Sequence, residues 1–208
     1  MGIIKKGVLD GFSGKIGTVI GSSWNGIPYM RFSPKTIKNP RTKQQTSHRV
    51  KFSMAINYLK PLKEVIRVGW RQYAVKQSAF NAATSYLYAN AIIGDYPDFS
   101  IDPNKVLISR GTLSSETNAS VTYASGTITF KWNVNSGSSN DLALLVVVNP
   151  SGCDAIFNVG KSNRKEGKQS ICLPATWMGE IVDAFLGFAS ENSQKVENSI
   201  YLGSVTVV

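Results

Sequence analysis

Apolar and polar positions follow three different rhythms along this chain. Over residues 1–33 short apolar pieces are broken by Gly2, Gly7, Gly11, Gly14, Gly17, Gly21 and Gly26, a pattern of brief strands and turns. The sharpest local signal is TVIGSSWNGIPYMRF, in which Asn25-Gly26 joins Thr18–Trp24 to Ile27–Phe32 as a two-residue hairpin turn. Pro28 has no N–H for a ladder, so the second strand is expected at a sheet edge.

From residue 40 to 93 glycine nearly vanishes and the apolar period lengthens. Asn39 reads as a cap and Pro40 as a first helical residue. Phe52, Ile56 and Leu59 share one face, Pro61 interrupts, and Leu62, Val65, Ile66 and Trp70 resume the run. A further helix is expected over Gln77–Ile93, with Phe80, Ala83, Leu87 and Ala91 in register.

Beyond Asp95 the period falls to two or the runs become wholly apolar. Strands are expected at Lys105–Ser109, Ser120–Tyr123, Thr127–Val134, Asp141–Val148, Ala155–Val159, Gln169–Leu173, Ile181–Ala189 and Ile200–Val208. The stretch DLALLVVVN is apolar on both parities, which calls for a central strand covered on both faces. Trp132 and Trp177 are candidate core aromatics. The expected fold is therefore α+β: a β-hairpin arm (1–38), a short helical segment (39–94) and a C-terminal antiparallel β-sandwich of Ig-like or Greek-key type (95–208).

Charge divides the chain more unevenly than hydropathy does. Residues 1–76 hold 15 of the 23 Lys and Arg against Asp10 and Glu64, a net of +13, whereas residues 77–208 carry a net of −3. A polyanion or an acidic protein surface is the partner such a segment suggests. The densest piece, TIKNPRTKQQTSHRVKF (residues 36–52), carries Lys38, Arg41, Lys43, Arg49, Lys51 and His48. On an ideal helix at about 100° per residue, Arg41, Arg49, Lys43 and Lys51 fall near 0°, 80°, 200° and 280°. They encircle the axis, whereas a groove-reading helix would gather them on one side. Nonspecific nucleic-acid contact needs only positive charge and stays open; base-specific reading has no support.

Motifs for catalysis or cofactor binding are missing. GFSGKIG lacks the leading glycine of a phosphate loop, where Leu9 stands, and the magnesium-holding hydroxyl, where Ile16 stands. His48 is the one histidine, so a multi-histidine metal site is excluded and no nucleophile–histidine pair has a recognisable context. Asp95, Asp98 and Asp102 read as a solvated turn, with a cation loop as the sharper alternative. Cys153 and Cys172 have neither zinc spacing nor a disulfide framework and are expected as buried thiols. No cofactor, metal or catalytic residue is assigned. The N-terminus has no apolar run suited to a signal peptide, and no stretch has the length to span a bilayer.

GKIG at 14–17, WNGIPYMR at 24–31 and NPRTKQQTSHRVKF at 39–52 together resemble the family called domain of unknown function 6266, found in Bacteroidota. VENSIYLGSVTV at 196–207 is similar to that family's ending. A shorter pattern, formed by Asn39, Pro40, Thr42, Gln45, Arg49 and Phe52, is similar to segments of phage and prophage structural proteins. The expectation is a non-enzymatic structural or assembly protein, a capsid- or tail-associated virion component made in the cytoplasm. It would contact other subunits, as a homo-oligomer or larger assembly, through Trp24, Tyr29, Arg31, Asn39, Arg41 and Gln45. The alternative is a cytoplasmic nucleic-acid-binding protein using the basic third.

Overall fold

The computed structural model describes residues 3–4, 12–24, 27–36, 39, 41–113, 117–135 and 137–208, with the backbone alone at Ile3, Ile4 and Trp24. The chain divides into two compact units, Met1–Thr42 and Lys43–Val208.

The first unit is an antiparallel sheet in chain order: β1 (Ile3–Ile4), β2 (Phe12–Ile16), β3 (Val19–Trp24) and β4 (Ile27–Phe32). The expected hairpin is β3–β4, with Trp24 opposite Ile27 and Val19 opposite Phe32; Asn25 and Gly26 themselves lie outside the described residues. β4 occupies the edge, as Pro28 requires. Gly21 is the one buried position among the described residues of this unit. A Cβ there would lie 2.1 Å from the Phe12 carbonyl oxygen, so only glycine lets β3 pass so close to β2.

The second unit is built in three layers. Helices α1 (Lys43–Leu59), α2 (Lys63–Gly69) and α3 (Ala79–Asn90) cover one face of a four-stranded antiparallel sheet. That sheet runs β10 (Asp154–Asn163), β9 (Leu142–Asn149), β12 (Ile181–Ala189), β13 (Ile200–Thr206). Its other face packs on a three-stranded sheet ordered β11 (Lys168–Cys172), β8 (Thr127–Trp132), β7 (Ala119–Ala124). A two-stranded ribbon, β5 (Ile92–Ile93) and β6 (Ser100–Ile101), follows α3.

β9 explains the layering. Val146 and Val148 enter the core beneath the helices, while Ala143, Leu145 and Val147 enter the core between the sheets. Side chains alternate along a strand, so a strand apolar on both parities has to be covered twice. Each such fully buried aliphatic side chain contributes roughly 1.5–3 kcal/mol. Trp132 and Trp177 lie in the inter-sheet core as expected. The expected helical segment and the expected sandwich thus share the β9–β12 sheet within one compact unit.

Several sequence expectations need correction. α1 begins at Lys43, past Asn39 and Arg41; Thr42, a residue type that caps well, directly precedes it. The buried face of α1 is Ala55, Tyr58 and Leu59, and Phe52 is exposed. Lys105–Ser109 is not a strand. Its apolar residues Val106 and Ile108 are buried because the irregular backbone docks on the helices and sheet: Arg110 N–H donates to Gly69 O (2.9 Å) and Ile108 N–H to Ser199 Oγ (2.8 Å). A Cβ on Gly69 would stand 2.6 Å from Ile108 O. Both cysteines are exposed. Cys153 sits in the β9–β10 turn at φ 49°, and Cys172 is the last residue of β11, where the outward parity falls. α3 is capped by Ser78, whose hydroxyl accepts from Asn81 N–H at 3.1 Å.

Candidate functional site

The sequence-chosen interface residues fall at the end of the first unit and the start of the second. Tyr29 and Arg31 are exposed on β4, opposite Ser22 and Ile20. Trp24 ends β3, with its side chain outside the description. Asn39 and Arg41 are exposed in the segment before α1, and Gln45 is exposed in its first turn. What the structure adds is the apolar character of β4: Ile27, Met30 and Phe32 are 64%, 70% and 79% exposed, and all six side chains of the strand are solvent-facing. Sequence alternation should have sent half of them inward, but among the described residues of this small sheet no apolar cluster lies beneath the strand.

The basic helix start is partly engaged. Lys51 stands over the Phe99 ring at 4.6 Å, and the imidazole of His48 hydrogen-bonds the Tyr88 hydroxyl on α3. Asp95 and Asp98 are exposed, while Asp102 accepts from the Asn104 backbone and side-chain amides (both 3.1 Å). The Asn104 hydrogen bonds, with Lys105 nearby, hold the Asp102 carboxyl below its ordinary range. At Asp102 that pattern is a turn cap.

A pocket of about 520 Å³ opens between α1, the β6 region, the β9–β10 turn and β12. Met54, Ile101 and Val148 give it an apolar wall, and Asn149, Asp183 and Tyr58 bring polar atoms to it. The Tyr58 hydroxyl is buried without a hydrogen-bond partner. Burial, and after it the charge of Asp183, push this phenol far above its ordinary value. Asp183, on the central strand β12, is 4% exposed; its Oδ1 accepts from Tyr201 Oη (3.0 Å) and Ser204 Oγ (2.8 Å) on β13. Burial raises Tyr201 as well. Sequence reasoning missed this site. An aspartate within an apolar strand run, at 183, was the signal available.

Two other cationic side chains are held by groups of the chain itself. The wholly buried Arg164 donates from Nη1 to Thr117 Oγ1 and from Nη2 to Glu197 Oε2 (each 2.8 Å), lies 3.4 Å through Nε from Asp141 Oδ2, and stacks 3.6 Å from the Phe188 ring. It ties β9, β10 and the segment before β13 together. Arg110 fills an aromatic recess formed by Trp70, Tyr73 and Tyr86, at 5.8, 4.6 and 5.0 Å.

These features define a two-unit α+β protein: a small sheet with an apolar edge, and a three-layer body with a mainly apolar pocket between α1 and β12. A model described as a family of unknown function, DUF6266, matches residues 11–203, and the chain belongs to that family. Comparison with curated proteins and with solved structures finds no match. No helix among the described residues is long and apolar enough to cross a membrane.

Proposed function

We propose that this is a non-enzymatic assembly protein whose first unit joins it to neighbouring subunits by strand addition at β4. The observation that carries this reading is the exposed β4 edge, with Ile27, Tyr29, Met30 and Phe32 all presented to solvent. Open edges pair readily with other chains, and a sheet this small does not supply a core of its own. A second copy of the chain is the simplest occupant, giving a homo-oligomer or a larger particle. The likeness of residues 39–52 to phage structural segments makes a virion the setting we favour, reached from the cytoplasm after synthesis. Arg31, exposed on β4 itself, would flank the contact. We also read the body's strand order, β7-β8-β11 against β10-β9-β12-β13, as immunoglobulin-like, an architecture common in adhesive modules.

Light scattering of the full chain tests the reading. A salt-resistant oligomer is expected, and Met30→Lys with Phe32→Lys should convert it to monomer. A wild-type protein that is strictly monomeric at high concentration would overturn it. The second reading, nucleic-acid binding, rests on the exposed cations Lys15, Arg31, Lys35, Arg41, Lys43 and Arg49. It predicts duplex DNA binding that collapses between about 50 and 200 mM salt.

A further inference from the structure

We propose that the pocket between α1 and β12 binds a small cationic amphiphile, an aryl- or alkylamine whose ammonium meets Asp183 and Tyr58 and whose hydrocarbon body lies along Met54, Ile101 and Val148. Three observations on independent residues carry this. The pocket, at about 520 Å³, falls in the size range of small-molecule sites and is lined mainly by apolar groups. Its polar end has acceptors: both hydrogen bonds that the Asp183 carboxylate accepts land on Oδ1, leaving Oδ2 for an incoming donor. The hydroxyl of Tyr58, which lines the same pocket, is buried without a partner, and a bound polar group would supply one.

Charge decides the class of ligand. Asp183 is the one ionisable carboxylate among the described residues lining the pocket, and none of those residues is Lys, Arg or His. A carboxylate or phosphate would meet like charge with no counter-ion among the described residues lining the pocket. A neutral alcohol could use Tyr58 but would leave the aspartate's charge unmatched. An ammonium satisfies both groups, and the apolar wall selects for a hydrophobic tail. Nothing in this site depends on the β4 edge, so it stands or falls separately from assembly.

The test uses the full chain and three matched probes: phenethylamine, phenethyl alcohol and 3-phenylpropanoate, titrated at neutral pH by calorimetry. The amine should bind at least about tenfold more tightly than either partner, a difference of 1.4 kcal/mol. Asp183→Asn keeps the Oδ1 acceptor for Tyr201 and Ser204, and should weaken the amine about tenfold while leaving the alcohol unchanged. Tyr58→Phe should weaken both. Cys153, exposed on the pocket rim, gives a second readout. In a Cys172→Ser background its alkylation should slow with amine and not with 3-phenylpropanoate. The proposal is overturned if phenethylamine fails to bind up to about 10 mM, if the carboxylate binds as well, or if the Asp183→Asn and Tyr58→Phe variants bind the amine like wild type.

Discussion

The two units answer the same problem, where to put apolar strand residues, in opposite ways. In the body, β9 and β12 lie in mid-sheet with nearly every side chain buried, because helices cover one face and a second sheet covers the other. In the first unit, β4 carries Ile27, Tyr29, Met30 and Phe32 into solvent, and the described residues of its own small sheet offer them no cover. Both stretches are β-forming. The difference lies in what packs on them, and it teaches that an apolar strand is a statement about a partner, internal or external. The body supplies its own, and the small sheet invites one from outside.

The body's self-sufficiency is most open to attack at Arg164. Replacing it by Met leaves Asp141 and Glu197 buried without their cation, so Arg164→Met should cost the body about 3–5 kcal/mol, read as a drop in the urea midpoint at unchanged slope. Oligomer formation through β4 should survive at temperatures where the body stays folded.

Alkaline titration probes the other buried polar group. Folded Tyr58 keeps its proton while the unfolded chain releases it near the ordinary value of 10.0. The folded state therefore binds more protons above that value, and stability falls as pH rises past it, by up to about 1.4 kcal/mol per pH unit for one group. Stability curves between about pH 9 and 11, roughly one unit either side of a free tyrosine, should be flatter in Tyr58→Phe. At neutral pH the same substitution removes a buried hydroxyl that lacks a partner and should stabilise the body by about 1 kcal/mol. Loss of stability instead would mean that the hydroxyl is satisfied in solution.

Ser78→Ala removes the α3 cap and should cost about 1 kcal/mol, seen as a lower thermal midpoint. The smallest effect on the fold is expected at the edge itself. Met30→Lys with Phe32→Lys should change body stability by less than about 0.5 kcal/mol while abolishing the oligomer, which separates the two units sharply. A large loss of body stability from that pair would show that β4 is covered by its own chain.

Much of the fold was legible because local signals and tertiary demands agreed. Seven of the eight expected strands recur with small shifts of boundary, and Asn25-Gly26 with Pro28 anticipated both the hairpin and its edge position. Lys105–Ser109 misled because an apolar run records burial and not backbone geometry; the N–H groups of Lys105 and Val106 are met by turn carbonyls and that of Ile108 by a serine side chain instead of a ladder. The cysteines misled for the converse reason, since a small apolar residue carries no mark of which way it faces. The candidate interface was legible as exposed and basic, but not as apolar.

Sequence alone determined the strand and helix rhythm, the doubly covered β9, the hairpin edge and the concentration of charge in the first 76 residues, all of which depend on neighbours along the chain. Only the tertiary structure decided that helices and a second sheet share one sheet's two faces, that Arg164 closes on residues 117, 141 and 197, and that Tyr58 meets Asp183 across a pocket. Those groups are between 23 and 125 positions apart in sequence. The Arg164 cluster offsets its cost of burial with partners that no local pattern brings together, and the Tyr58–Asp183 pocket joins two elements far apart in sequence, so this chemistry is a property of the fold.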